Sequence, residues 1–279
     1  MDIRTIKHAV RSIVGIVKEK KVVPIQHLVD ESNILAGHVA LITGGSGGIG
    51  YTIASSFLES GCKVIIAGTN SEKLKRCVEQ LGKNAGYIVL NLEDIKSFEG
   101  QVEKASEIFG KIDILINSAG VHSQKSMTTY FNTTEDEFEK IFNINLKGTY
   151  FVSQVIANYM IKNKIKGHIL NISSSTGGEP AWSPYRLSKL CLEGFTSGLA
   201  QVLTPYGIIV NAIAPGSTAT GLLGYKDGDS IYTTDNEVRR YIMPDEVASY
   251  AKIFVSGLGD MVVGSTLYVS GGRGTYDIR

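Results

Sequence analysis

Val39-Ala40-Leu41-Ile42-Thr43-Gly44-Gly45-Ser46-Gly47-Gly48-Ile49-Gly50 is the stretch that decides how this chain folds. Its first half is an apolar run of strand length. Its second half is rich in glycine and opens a segment, 48–60, in which Ile49, Ile53, Phe57 and Leu58 recur at helical spacing. Strand, glycine turn and helix in that order form a natural anion site. Glycines let the backbone turn tightly and come close to a pyrophosphate, which sits on the free N–H groups of the helix start. Gly45-x-Gly47-x-x-Gly50 fits the general dinucleotide fingerprint, and other frames fit as well because the turn holds so many glycines.

Outward from this stretch the same alternation continues almost throughout. Apolar runs at 64–67, 87–90, 112–116, 168–172, 208–214 and 266–269 predict strands. Segments at 71–81, 95–109, 134–162, 184–203 and 245–256 predict helices. The expected class is α/β, a Rossmann-type doubly wound parallel sheet of about seven strands with helices on both faces. It is expected as a single domain over 37–279 preceded by a helical extension over 1–36. Such sheets bind ligands beyond the carboxyl ends of their strands, near the switch in strand order. The chemistry-bearing motifs of this chain all fall at those ends.

Composition narrows the function classes. The chain has 279 residues, 43% hydrophobic and 20% charged, which fits a globular enzyme. A formal net charge of +1 offers no global field to draw in nucleic acid or membrane. The three cysteines, Cys62, Cys77 and Cys191, lack metal-ligand spacing, so no metal is expected. Cys62 and Cys191 stand in apolar surroundings and read as buried free thiols, which points to the cytoplasm. No secretory signal or run of membrane-spanning length is visible. Residues 1–21 are basic and amphipathic, and read as a helix docked on protein in preference to one lying on a membrane.

Tyr185-Arg186-Leu187-Ser188-Lys189 carries the candidate chemistry. A tyrosine and a lysine at i and i+4 share one helix face. A nearby ammonium favours phenolate, so Lys189 is expected to lower the Tyr185 pKa and make it a useful proton shuttle. The end of the second strand reads Gly68-Thr69-Asn70-Ser71, with no carboxylate to repel a 2′-phosphate. With Lys73 and Arg76 nearby, NADP is the preferred cofactor and NAD the other possibility. Asn91 and Leu92 are placed to contact an adenine edge, although Asn91 also suits a strand-ending turn. Asn117-Ser118-Ala119-Gly120 leaves room for a flat ring or ribose.

Taken together, these motifs resemble the short-chain dehydrogenase/reductase family, and its 3-oxoacyl-(acyl-carrier-protein) reductase-like members in particular. The matching residues are Thr43-Gly44-x-x-x-Gly48-Ile49-Gly50, Asn117-x-Ala119-Gly120, Asn145-Leu146-Lys147-Gly148, the serine run 173–175, Tyr185-x-x-x-Lys189 and Pro215-Gly216. The resemblance spans roughly 37–272. It implies hydride transfer between NAD(P) and a small carbonyl or secondary alcohol. It implies Tyr185 as the acid, Lys189 as the ribose holder, Ser174 as the partner of the substrate oxygen and Asn145 as the support of a proton-relay water. Ser174 is chosen from its run because the family's serine usually stands three residues before a glycine, here Gly177.

The resemblance also implies a cofactor set of Thr43, Gly44, Gly45, Ser46, Gly47, Gly48, Ile49, Thr69, Asn70, Asn91, Leu92, Asn117, Ala119, Gly120 and Ile172, with Tyr185, Lys189, Pro215, Gly216 and Thr218. Three features depart from the family pattern. The loop from Ser174 to Tyr185 is short, Ser118 stands where a second asparagine is frequent, and Ser270 where aspartate is frequent. Substrate choice is expected in 217–243, a lid or a disordered segment, and along 177–182, where Trp182 stacks on substrate or packs at a subunit contact. His122 and Gln124 are placed to reach the same pocket. Val152, Ile156, Tyr159, Phe195 and Leu199 exceed what one core contact needs, which suggests a homodimer or homotetramer, the other reading being ordinary core. The alternative reading is a catalytically silent NADP-binding sensor or scaffold.

Overall fold

The computed structural model describes residues 33–123, 130–226 and 228–273. Residues 1–21 and Gln124 therefore lie outside the described residues. Seven parallel strands form one sheet in the order β3-β2-β1-β4-β5-β6-β7. They are β1 Val39–Thr43, β2 Lys63–Gly68, β3 Ala85–Val89, β4 Ile114–Asn117, β5 Gly167–Ile172, β6 Ile208–Pro215 and β7 Thr266–Val269. The order reverses between β1 and β4, which pair in register from Ala40↔Ile114 to Thr43↔Asn117. A ligand crevice opens at such a reversal.

Alternation along the strands decides which helix covers which face, because successive side chains point to opposite sides. Ala40, Ile42, Val64, Ile66, Ile114 and Ile116 pack under Ile53 and Phe57 of α1 (Gly48–Glu59), Leu74 of α2 (Ser71–Leu81), and Val247 and Ala251 of α7 (Pro244–Phe254). Their neighbours Val39, Leu41, Ile65, Leu115 and Ile169 face the other way. They meet Phe98 and Val102 of α3 (Phe98–Phe109), Val152 and Ile156 of α5 (Thr149–Lys162), and Leu203 of α6 (Pro184–Leu203). All five residues of β1 are buried. Each buried aliphatic side chain stabilises the fold by roughly 1.5–3 kcal/mol.

Several expectations are corrected here. The helix expected over 134–162 is two helices, α4 (Glu135–Phe142) and α5, joined by a π-turn at Asn143–Gly148. Leu35 is fully buried and its amide bonds the Ser60 carbonyl at 3.0 Å. Cys62 and Cys77 are buried, whereas Cys191 is exposed. Val152 and Ile156 are core residues of this chain. The apolar side chains left exposed on α5 and α6 are Tyr150, Leu190 and Val202. In the segment after β6, Thr218 bridges to Ile242 and Tyr232 to Arg240.

Titratable groups gather at the amino-terminal ends of the central strands, opposite the crevice. Asp113 is 3% exposed. It accepts from the Val39 amide at 2.7 Å, and lies 2.6 Å from Lys111 Nζ and 3.1 Å from His38 Nδ1. Burial pushes its pKa up, but the hydrogen bonds from His38, Lys111 and Val39 together hold it below its ordinary value. His168 is also buried, with Nδ1 lacking a partner among the described residues and Nε2 3.5 Å from Asp260. Burial holds its pKa below 6.5 despite the pull of Asp260.

Both shifts make the unfolded chain the better proton binder as pH falls. The His168 contribution is present above about pH 6.5 and is lost below it. The Asp113 contribution is lost at lower pH, as the solution passes through the ordinary carboxylate range. The melting temperature is expected to fall between pH 7.5 and 5.5, with a shallower fall in His168→Asn. Thermal melts across that range check this, and an unchanged slope in the variant would exclude His168 as the source.

Candidate active site

The turn after β1 shapes the first part of the site. A cavity of about 360 Å³ is lined by Thr43, Gly44, Ser46, Gly47, Gly48 and Ile49, by Thr69 and Lys73 beyond β2, and by Asn91 and Leu92 beyond β3. Ser118, Ala119 and Gly120 beyond β4 close it. Thr43 Oγ1 accepts from the Ala119 amide at 3.3 Å and lies 3.4 Å from the Ile116 carbonyl, tying the two strands at the switch point. The Gly44 backbone has φ +67°, and a Cβ there would fall 2.8 Å from Ala119 Cα. A bare backbone beside an open, carboxylate-free cavity suits a dinucleotide, so the residues present fit NAD(P).

Three residues expected at the cofactor have other engagements. A Cβ on Gly45 would fall 2.7 Å from Ile66, so this glycine faces the core behind the turn. The Asn70 side chain caps α2 by accepting from the Lys73 amide at 2.9 Å. Asn117 is 2% exposed, and its amide donates to Ser153 Oγ at 2.9 Å and to Asn171 Oδ1 at 2.8 Å. Asn171 in turn donates to Thr196 Oγ1 at 2.9 Å. Asn117 is thus part of a buried polar ladder joining β4 to β5, α5 and α6 through its Nδ2, while its Oδ1 has no partner among the described residues.

Tyr185 and Ser174 line a second cavity of about 290 Å³, with Pro215, Gly216, Thr218, His122 and Arg273. Ile49, Thr220 and Leu222 line both cavities, so the two adjoin. Helix α6 starts where Ser183 accepts from the Arg186 amide at 3.3 Å and Pro184 takes the first turn, which puts Tyr185 at the crevice. One turn on, Lys189 is 5% exposed, donates to the Ile172 carbonyl at 2.9 Å, and has its Nζ 5.7 Å from the Tyr185 ring centroid. The Ile172 carbonyl is therefore the anchor of Lys189.

The π-turn explains Asn145. A helix register widened by one residue turns side chains away from their α-helical direction, and such turns are frequent at functional sites. Asn145 is 1% exposed. It accepts from the Val121 amide at 2.8 Å and donates to the Val121 carbonyl at 2.9 Å and to Ser188 Oγ at 3.2 Å. These bonds join the end of β4 to α6 at the turn that carries Lys189.

The electrostatics differ from the sequence expectation. Burial pushes the Tyr185 phenol above its ordinary value, and a hydrogen bond with Ser174 and the charge of Arg273 only partly offset this. Lys189 is itself pushed down to about 8 by burial, with Glu193 opposing. The site thus holds Tyr185 as a neutral phenol at pH 7, ready to give a proton.

Sequence reasoning missed Arg273 and Thr220. The Ser270-Gly271-Gly272 turn after β7, with φ of +61° and +95° at its glycines, returns the chain toward the crevice, and this was the available signal for Arg273. Trp182 is 44% exposed, with the Arg186 guanidinium 5.3 Å from its ring centroid. Among the described residues no helix is long and apolar enough to cross a membrane.

A family model described as short chain dehydrogenase matches residues 38–229. The chain is 35% identical over 243 residues to the 3-oxoacyl-(acyl-carrier-protein) reductase FabG of Rickettsia conorii, covering 85% of this chain and 97% of that one. In structure it is similar to a 3-ketoacyl-(acyl-carrier-protein) reductase from Brucella melitensis complexed with NADH. There the TM-score is 0.78 and the identity 30%, with 86% of this chain and 99% of that one covered. It is also similar to a short chain dehydrogenase from Burkholderia cenocepacia in complex with NADP, with a TM-score of 0.76, 31% identity, and 86% and 99% covered.

Proposed function

From the premise that the chain belongs to the short-chain dehydrogenase/reductase family, we propose that Tyr185, Ser174, Lys189 and Asn145 are its catalytic residues. The enzyme is an oxidoreductase that transfers a hydride between NAD(P) and a carbonyl or secondary alcohol. The observation that carries the residue assignment is the shared wall of the two cavities. Tyr185 and Ser174 stand in the cavity that adjoins the glycine turn.

The nicotinamide, when bound, supplies or accepts the hydride. In reduction, Tyr185 Oη gives its proton to the carbonyl oxygen while Ser174 Oγ donates a hydrogen bond to the same oxygen. Lys189 holds the ribose and, with Asn145, positions the water that returns a proton to Tyr185. Thr69 and Lys73 hold the ribose phosphate, which favours NADP over NAD. Lys73 is the one charged side chain among the described residues lining the larger cavity.

Charge reversal on this exposed side chain is worth about twofold to fivefold, in line with surface ion pairs. Lys73→Glu is therefore expected to raise KM for NADPH by about that factor and to leave KM for NADH nearly unchanged. Steady-state kinetics with both cofactors read the ratio, and an equal change in both would refute the phosphate contact.

A panel of small ketones, aldehydes and alcohols, read by NADPH and NADH absorbance in parallel, tests the overall assignment. Cofactor consumption that depends on Tyr185 supports it. Tight cofactor binding with no consumption across the panel would favour the silent sensor. The exposed apolar side chains Tyr150, Leu190 and Val202 on α5 and α6 support a homodimer or homotetramer joined through those helices. Three free thiols, two of them buried, suit a reducing cytoplasm. A dehydrogenase domain preceded by an N-terminal extension remains the proposed division of the chain.

A further inference from the structure

Arg273 and Ser217 line the smaller cavity with Tyr185, and Arg273 belongs to an ion-pair chain that links three separate parts of the sequence. Arg186, next to Tyr185 on the first turn of α6, pairs with Glu179 at 2.6 Å. Arg273 pairs with the other oxygen of Glu179 at 2.9 Å, donates to Ser217 Oγ at 3.1 Å, and lies 3.6 Å from Asp235. Ser217 donates to Asp235 at 2.7 Å. Glu179 is the node, with its side chain 16% exposed and two guanidinium groups upon it. A forked guanidinium gripped at two points keeps a fixed position, which a lysine ammonium would not.

We propose that Arg273 is a positioning residue for proton transfer at Tyr185, acting as a fixed cation in the substrate cavity and, through Glu179 and Arg186, as an anchor of the helical turn that carries Tyr185. This rests on the assignment of Tyr185 as the proton donor. A fixed positive charge in a partly buried cavity favours phenolate over phenol, and so makes the proton easier to release. Burial disfavours phenolate, and the charge of Arg273 opposes burial. The charged and titratable groups around Tyr185 come from several elements. Lys189, Arg186 and Glu193 stand on α6, and His122 follows β4 with its ring 6.3 Å from that of Tyr185. Glu179 follows β5 and Asp235 lies in the segment after β6. Lys189 and Glu193 are of opposite sign, and Glu193 is engaged by Tyr268 Oη at 2.7 Å and Ser173 Oγ at 3.0 Å. Glu179 is shared between its two arginines. Asp235 completes the chain, so its two arginines and two carboxylates balance, and Arg273 is the member whose charge stands in the lining of the cavity beside Tyr185.

The test reads Tyr185 directly. Protein labelled with tyrosine carrying carbon-13 at Cζ is titrated by NMR, and the Tyr185 signal is identified by its loss in Tyr185→Phe. In Arg273→Gln the midpoint of Tyr185 is expected to move upward. In Arg273→Lys it is expected to move less. In Glu179→Gln, which removes a negative charge and keeps the cation, it is expected to move downward. Opposite signs in the two neutral variants are the decisive result, because loss of a merely structural clamp would move Tyr185 the same way in both. An unmoved midpoint in Arg273→Gln, or equal shifts in Arg273→Gln and Glu179→Gln, would overturn the proposal. If Arg273→Gln fails to fold by circular dichroism, Arg273→Lys and Glu179→Gln carry the comparison, and a midpoint unmoved in both overturns it. The measurement needs no turnover, so failure of the enzymatic assignment would show separately in the carbonyl panel.

Discussion

Turnover in Tyr185→Phe is expected to fall by about 10²–10⁴-fold, the range that a positioned acid or base contributes. Phenylalanine keeps the ring and the shape of the first turn of α6, so the loss is one of chemistry. The Lys189 anchor on the Ile172 carbonyl is untouched, and the glycine turn lies in the adjoining cavity. Cofactor affinity is expected to remain within about tenfold, since a lost neutral hydrogen bond is worth about 0.5–1.5 kcal/mol in net terms. Stopped-flow reduction of a ketone taken from the panel, with NADPH binding followed by fluorescence, separates the two quantities. Wild-type turnover in the variant would remove Tyr185 from the mechanism. The neutral state of Tyr185 at pH 7 also fixes a direction of pH dependence. Alcohol oxidation needs the phenolate, so its rate is expected to climb on the alkaline side, while carbonyl reduction is already served at neutrality.

Gly44→Ala is expected to abolish nucleotide binding. Two costs coincide at this position. A non-glycine residue in the left-handed region, here φ +67°, loses about 1–2 kcal/mol. The added methyl would also fall 2.8 Å from Ala119 Cα and 2.9 Å from Ala119 N, both backbone atoms that cannot rotate away. Relief requires β1 and β4 to part at the switch point, where Thr43 Oγ1 accepts from the Ala119 amide. Both ends of the cradle would move together. Loss of the NADPH fluorescence change and a lowered melting temperature are the expected readings, and unaltered binding would show that the turn does not hold the nucleotide.

The alternation of strand and helix was legible because its physical cause is local. Buried parallel strands need unbroken apolar runs such as Ile65–Ala67, and covering helices need a stripe such as Ile53 and Phe57. The proposed tetrad was legible for a related reason, since Tyr185 and Lys189 lie on one helix turn. Features that depend on distant partners were hidden. The π-turn at Asn143–Gly148 has the composition of a continuing helix, and it is fixed by what Asn145 meets at Val121 and Ser188. Asn117 reads like a cofactor residue by position, yet its amide answers Ser153 and Asn171, which spacing cannot reveal. For Tyr185 the sequence shows the proximity of Lys189, whereas the burial that raises its pKa and the nearby charge of Arg273 come from distant parts of the chain. Exposure on α5 and α6 likewise follows from helix rotation, which buries Val152 and leaves Tyr150 outside.

The strand order has a consequence for the chain during its synthesis. Because β1 finds a neighbour in β4, and the pocket wall needs Arg273 beyond β7, a ribosome-bound chain can build β1, β2 and β3 early but holds no finished pocket. The glycine turn would wait, its amides wetted, for partners translated much later. Unfinished chains should therefore neither sequester the nucleotide pool nor show stray reactivity, and competence should arrive in one late step.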